Sequence, residues 1–286
     1  MKPRAFDYHA PERIDEVVGL LAAHGDEAKP LAGGQSLVPM MSLRLASFAH
    51  LVDLRKVEGL DAIHAGDGHV RVGAMVRQAS AERDPTVATV PLLARAIPNI
   101  GHFQIRNRGT IGGSIAHADP ASELPAVALA LGATMEAAGP HGTRRVPAAA
   151  FFDSTWQTTL SEGEVLTAIE FPVWTGRCGF AVEEVARRHG DFALVGATVG
   201  VQVDGDRVTR AAIAMLGVGA TPLRSTEAEA ALVAGGVDVD LREIGRLASA
   251  GLHPSDDIHA SGAYRAHVAA TVVWRALTRA LEEARS

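Results

Sequence analysis

Apolar and polar positions alternate along this chain with two periods, and the switches between them outline its elements. Residues 11–24, PERIDEVVGLLAAH, put Ile14, Val17, Val18 and Leu21 on one side of a helix, with Pro11 suited to its first turn and Gly25 to its stop. AKPL (28–31) reads as a short strand, SLVPMMSLRLA (36–46) returns to a helical pattern, and HLVDL (50–54) is a further strand. Together these form a small β–α–β–β style unit. DAIHAGDGHVRVGAM (61–75) alternates around a Gly-Asp-Gly turn and predicts a hairpin. VRQASAER (76–83), VATVPLLARAI (87–97) and ELPAVALALG (123–132) predict helices. A second hairpin covers 133–148, and EVLTAIEFPV (164–173) is a strand with a proline near its end.

After residue 174 the pattern changes. GFAVEEVARR and ALVGATVGVQVDGDRVTRAAIAMLGVG predict an antiparallel meander with a DGD turn. TEAEAALVAG, DLREIGRLASAGL and the long YRAHVAATVVWRALTRALEEA then predict helices. The boundary is therefore set near 174, and no internal repeat stands out.

Composition narrows the function classes. The 286 residues are 47% apolar and 21% charged, which suits two folded domains and makes disorder a poor description. A net charge of −6 removes a chain-wide basic field for nucleic acid or anionic lipid. The opening MKPRAFDYHAPERIDE has no apolar signal core, and the most apolar stretch, AAIAMLGVGA, is ten residues long. A soluble, cytoplasmic chain with no membrane span is expected. The one cysteine, Cys178, cannot form an intrachain disulfide or by itself hold an iron–sulfur cluster or structural zinc, and reads as a small, partly buried residue. The twelve histidines include no H-x-x-x-H pair or His/carboxylate cluster in sequence, so no metal site is expected.

Candidate chemistry lies in two similar stretches. KPLAGGQSLVPMMSLRL (29–45) and IRNRGTIGGSIAHADPASELP (105–125) each set Gly-Gly and hydroxyls where a helical pattern begins. Glycine allows positive φ and close approach of a ligand, and successive backbone N–H groups can converge on an anion. A helix start adds its positive end, and Ser36, Thr110 and Ser114 offer hydroxyls. Two such loops facing each other suit a diphosphate. Neither is a Walker A or a GxGxxG sequence, so spacing alone leaves an ordinary turn and a phosphate site both open.

AGGQS followed by RNRGTIGGSIAHADPASELP, together with FPVWTGRCGFAVEEVARRHGDFALVGATVGV, resembles the flavin-binding medium subunits of the molybdenum hydroxylases, the carbon monoxide dehydrogenase and xanthine dehydrogenase family. The resemblance covers essentially the whole chain. It implies an α+β protein: a two-subdomain FAD-binding fold of the PCMH type over 1–174 (subdomains about 1–56 and 57–174), then a C-terminal domain over 175–286 with a small antiparallel sheet and a helical bundle.

It also implies non-covalent FAD, with Lys29, Pro30, Leu31, Ala32, Gly33, Gly34, Gln35, Ser36 and Leu37 around the diphosphate and Thr110, Ile111, Gly112, Gly113 and Ser114 as the second wall. Ile100 and Leu166 match apolar positions against the flavin or adenine. Glu123 stands where aspartate is usual, near the ribose or adenine. Ser114 replaces a more frequent asparagine. Phe192 replaces a tyrosine over the isoalloxazine, which keeps stacking and removes a hydroxyl. Covalent flavoproteins of the wider superfamily bond the flavin through a histidine at the end of the Gly-Gly motif, and Gln35 cannot do so.

The partners implied are a large subunit with molybdenum cofactor and a small subunit with two [2Fe–2S] clusters, as a heterotrimer or a dimer of heterotrimers. The chain itself needs no catalytic residue. Two other functions stay open here: a stand-alone flavin oxidoreductase, and an assembly module that has lost FAD. Several residues also keep two readings. Arg106 and Arg108 are either phosphate or partner contacts or a solvated pair. His117 and Asp119 are either an acid–base pair or a turn. The last helix either packs on its own domain or faces a subunit.

Overall fold

The computed structural model describes residues 2–286. Its first unit is β1 (Asp7–His9), α1 (Ile14–His24), β2 (Ala28–Leu31), α2 (Leu37–Ser42) and β3 (His50–Asp53). The three strands run parallel in the order β1-β3-β2, with Asp7 opposite His50 and His50 opposite Ala28. Val17 and Leu21 of α1 pack with Val52 and Leu54 in a small core. The helix starts at Ile14, so Pro11 precedes it. Glu16 accepts from the Arg13 amide at 3.3 Å and caps the entry. The alternation pattern does not predict β1, whose residues Asp7, Tyr8 and His9 carry no apolar face. It is held by pairing with β3 and by Tyr8, whose hydroxyl donates to Asp53 at 2.5 Å.

The second unit comprises β4 (Ile63–Ala65), β5 (His69–Gly73), α3 (Gln78–Ala81), α4 (Pro91–Ala96), α5 (Phe103–Arg106), α6 (Ile111–His117), α7 (Glu123–Leu131), β6 (Thr134–Gly139), β7 (Gly142–Pro147), β8 (Phe152–Ser154), β9 (Gln157–Thr158) and β10 (Val165–Pro172). Five strands form an antiparallel sheet ordered β4-β5-β10-β6-β7. The continuous helix expected over 87–97 is a 3₁₀ turn at Val87–Thr89 followed by α4, because Pro91 opens a new first turn.

The third unit is β11 (Arg177–Val185), β12 (Val195–Asp204), β13 (Arg207–Leu216), β14 (Leu223–Arg224), α8 (Thr226–Gly235), α9 (Leu241–Ser249) and α10 (Gly262–Arg285). Its sheet is an antiparallel meander in chain order. Side chains of β13 alternate between two cores. Ile213 and Met215 join the helices of this unit, while Ala212 and Ala214 join the core of the second unit. Helix α10 lies against β11, β12 and α9, burying Val272, Val273, Ala276, Leu277 and Leu281. Its apolar face is thus used within its own domain. Helix α7 packs against β10, β12 and β13, and every one of its nine residues is buried. That placement explains a helix that is apolar nearly all round. No helix among the described residues is long and apolar enough to cross a membrane.

Candidate functional site

A cleft of about 1020 Å³ opens between the first two units, with Gly190, Asp191 and Phe192 of the third at its rim. Strand β2 delivers the chain to its floor. Gly34 there has φ of +73°, a backbone that glycine adopts at little steric cost. Among the described residues, none of the amides from Gly33 to Leu37 donates to a protein acceptor. The Gln35 side chain turns back to the Gly33 carbonyl at 3.2 Å and stays exposed. The first motif is therefore a run of free donors, as an anion nest requires.

The second motif is different. Thr110 to His117 is no loop: Gly112, Gly113 and Ser114 lie within α6. The Ile111 amide donates to Val76 O at 2.9 Å and that of Gly112 to Ala74 O at 3.0 Å. Gly113 donates to Thr110 Oγ1 at 3.0 Å, and Ser114 to Thr110 O at 3.2 Å. These amides are already satisfied, so the expected second nest of free N–H groups is not formed. Gly-Gly serves close packing instead. A Cβ on Gly112 would stand 2.4 Å from that of Ala74, and a Cβ on Gly113 would stand 3.1 Å from that of Ala32 and 3.9 Å from the Gly33 nitrogen. The two motifs touch, and the second leaves the single Thr110 amide and the Thr110 and Ser114 hydroxyls as its donors at the cleft.

Most of the expected residues line this cleft: Lys29, Pro30, Ala32 to Leu37, Ile100, Thr110, Gly112 to Ser114, Glu123, Leu166 and Phe192. Leu31 and Ile111 do not. Ile111 is fully buried in the core beneath α6. Phe192 is 59% exposed at the rim, free to cover a planar group. Glu123 is only 4% exposed, at the first turn of α7. Burial, and then the nearby Glu184 carboxylate, push it up to about 8. Burial alone raises Glu184 to about 7, and its Oε2 has no partner. At neutral pH the Glu123 carboxyl is mostly protonated and can donate a hydrogen bond.

Arg106, Asp119 and His117 resolve by contact, while the exposed Arg108 side chain meets no protein partner among the described residues. Arg106 is a clamp within the protein: it donates to Glu82 at 3.0 Å and to the carbonyls of Ile100 and Gly101 at 3.1 Å. Asp119 accepts from the Ala121 amide at 2.9 Å in an Asx turn and from Trp156 Nε1 at 3.0 Å. His117 stacks on Trp156, and burial lowers its pKa. Trp156 lines the cleft and was not signalled by the sequence pattern, since its φ of +60° arises from the β8–β9 turn. Gln78, buried at the cleft wall with Oε1 unpartnered, was missed for the same lack of a local pattern. Cys178 is half-buried and burial raises its thiol pKa.

The cleft has the size for an extended dinucleotide, and the backbone donors, hydroxyls and apolar flanks fit diphosphate, sugar and ring. Comparison with known proteins agrees. The family described as the FAD binding domain in molybdopterin dehydrogenase matches residues 4–174, and that of the CO dehydrogenase flavoprotein C-terminal domain matches 180–280. The chain belongs to this family of FAD-binding medium subunits of molybdenum hydroxylases. It is 40% identical to the 6-hydroxypseudooxynicotine dehydrogenase complex subunit alpha of Paenarthrobacter nicotinovorans, covering 100% of this chain and 97% of that one. It is 38% identical to the carbon monoxide dehydrogenase medium chain of Afipia carboxidovorans over 100% of both. Among solved structures, it superposes on carbon monoxide dehydrogenase from Hydrogenophaga pseudoflava with a TM-score of 0.97 at 39% identity, covering 99% of each chain. For quinoline 2-oxidoreductase from Pseudomonas putida 86 the TM-score is 0.94 at 39% identity, with 100% of each chain covered.

Proposed function

We propose that this chain is the FAD-carrying electron relay of a molybdenum hydroxylase, working with a large molybdenum-cofactor subunit and a small [2Fe–2S] subunit. The observation that carries the reading is the run of five unpartnered amides, Gly33 to Leu37, in residues that line a dinucleotide-sized cleft. Bound FAD supplies exchange of one or two electrons, which couples single-electron iron–sulfur centres to a two-electron acceptor. The chain's own residues bind and orient. The amides of residues 33–37 hold the diphosphate, helped by the hydroxyls of Ser36, Thr110 and Ser114. Ile100 and Leu166 would offer apolar contact to the FAD rings, and the exposed Phe192 at the rim would supply a stacking surface. The protonated Glu123 carboxyl would be available to hydrogen-bond the sugar. No nucleophile or general base is assigned, since positioning and electrostatics suffice.

Relatives of 34–40% identity carry names as different as caffeine dehydrogenase, glyceraldehyde dehydrogenase and nicotine 6-hydroxylase. A fold shared across such substrates fits a chain that handles electrons rather than the substrate. We place it in the cytoplasm, a reading that suits its single free thiol. The test is purification of the native complex with flavin and metal analysis. One FAD per chain, with molybdenum and iron in co-eluting subunits, is expected. A flavin-free chain that elutes alone and takes up no added FAD contradicts the proposal.

A further inference from the structure

Three histidines widely separated in sequence converge on the first unit. His9 comes from β1, His24 from the last turn of α1 and His50 from the start of β3. Each offers a ring nitrogen, and the three atoms lie within 4.8 Å of one another. His9 Nε2 and His50 Nδ1 are 3.2 Å apart. The His24 ring stacks on that of His50, with centroids 3.7 Å apart. Asp7 lies opposite His50 in the ladder, and its Oδ2 is 3.7 Å from His50 Nδ1. Among the described residues, no other polar group bonds these rings.

The placement follows from strand geometry. Asp7 and His9 are two apart on β1 and share one face, and His50 is in register with Asp7. Helix α1 ends over this face and lowers His24 onto it. All three rings are half-buried, which limits their contact with water.

We propose that this cluster is a binding site for a divalent transition-metal ion of the zinc type, with His9, His24 and His50 as ligands and Asp7 closing the set. Three imidazoles and one carboxylate suit zinc and its neighbours. With Zn–N bonds of about 2.0–2.1 Å, two nitrogens of a tetrahedral site stand about 3.3 Å apart. The His9–His50 pair already has that spacing, and binding exchanges its hydrogen bond for two metal bonds. The stacked His24 ring turns about its side-chain torsions to present its nitrogen edge-on. The negative end of the α1 dipole favours the cation. The site ties β1, α1 and β3 together, and β2, which leads to the first glycine loop, begins four residues after His24. The ion is structural and lies outside the electron path.

The test uses the full chain in its native complex, stripped with chelator and then equilibrated with zinc sulfate. Zinc is measured by mass spectrometry after dialysis and by calorimetric titration. One zinc per chain is expected. His24→Ala weakens binding by about 100-fold or more, since loss of even an outer-sphere partner costs about 10–100-fold. His9→Gln does the same if His24→Ala does not fold, and His141→Ala, at an exposed turn, leaves binding unchanged. Absence of zinc in the unaltered protein, or equal retention by the folded His24 or His9 variant, overturns the proposal.

Discussion

Gly33 sits so close to Arg108 that a Cβ at residue 33 would stand 2.3 Å from the Arg108 carbonyl oxygen and 2.7 Å from the Gly109 Cα. Both obstacles are backbone, so no rotamer relieves them. The free amides of the first motif are thereby pressed against the segment that leads into the second. Gly33→Ala is expected to push the loop off this wall. Overpacking of this kind costs about 1–3 kcal/mol. FAD affinity should fall at least about 10-fold, the equivalent of 1.4 kcal/mol. Flavin titration by fluorescence, with the melting temperature read alongside, measures both.

Attachment of the flavin follows from Gln35. Its amide side chain folds back on the Gly33 carbonyl and has no chemistry for bonding a flavin ring carbon. Acid precipitation should release all the yellow colour to the supernatant. A pellet that stays yellow after washing contradicts this.

The pH dependence of stability has a definite sign. Folded Glu123 is raised to about 8 from an ordinary value of 4.5, so between those values the folded chain holds a proton that the unfolded chain has lost. Stability therefore falls as pH rises through this window, by up to about 1.4 kcal/mol per unit for this group. Glu184, raised to about 7, adds to the fall in the lower part of the window. Glu123→Gln should flatten the slope measured by urea denaturation between about pH 5 and pH 8. An unchanged slope contradicts a buried, protonated Glu123.

Arg106 supports the cleft from behind. Arg106→Ala leaves Glu82 and the Ile100 and Gly101 carbonyls without their shared donor and should cost about 1–3 kcal/mol. Flavin dissociation should quicken through the loosened wall around Ile100. The quickening should be nearly independent of ionic strength, since the residue does not meet the phosphates. A strongly salt-dependent change would return Arg106 to a phosphate role.

Much of this arrangement was legible in the chain. The C-terminal meander could be read because its strands are long and alternate cleanly, with Ile213 and Met215 set against Ala212 and Ala214. The first glycine motif was readable because a strand pattern ends and a helical one begins around it. Three features were hidden for physical reasons. β1 has only three residues and no apolar face, so its pairing with β3 is a tertiary fact. Gly-Gly disfavours a helix intrinsically, yet α6 forms at Gly112 and Gly113. Its first amides are anchored on Val76 and Ala74, which lie more than thirty residues away in sequence. The histidine cluster joins positions 9, 24 and 50, and no local spacing rule can bring those together.

The most direct measurement is a crystal structure of the native complex with FAD bound. The diphosphate should accept hydrogen bonds from amides within residues 33–37, with the second motif contributing the Thr110 and Ser114 hydroxyls and no α6 amide from Ile111 to Ser114. A diphosphate bound elsewhere, with these five amides facing only water, would contradict the assignment of the cleft and the relay role built on it.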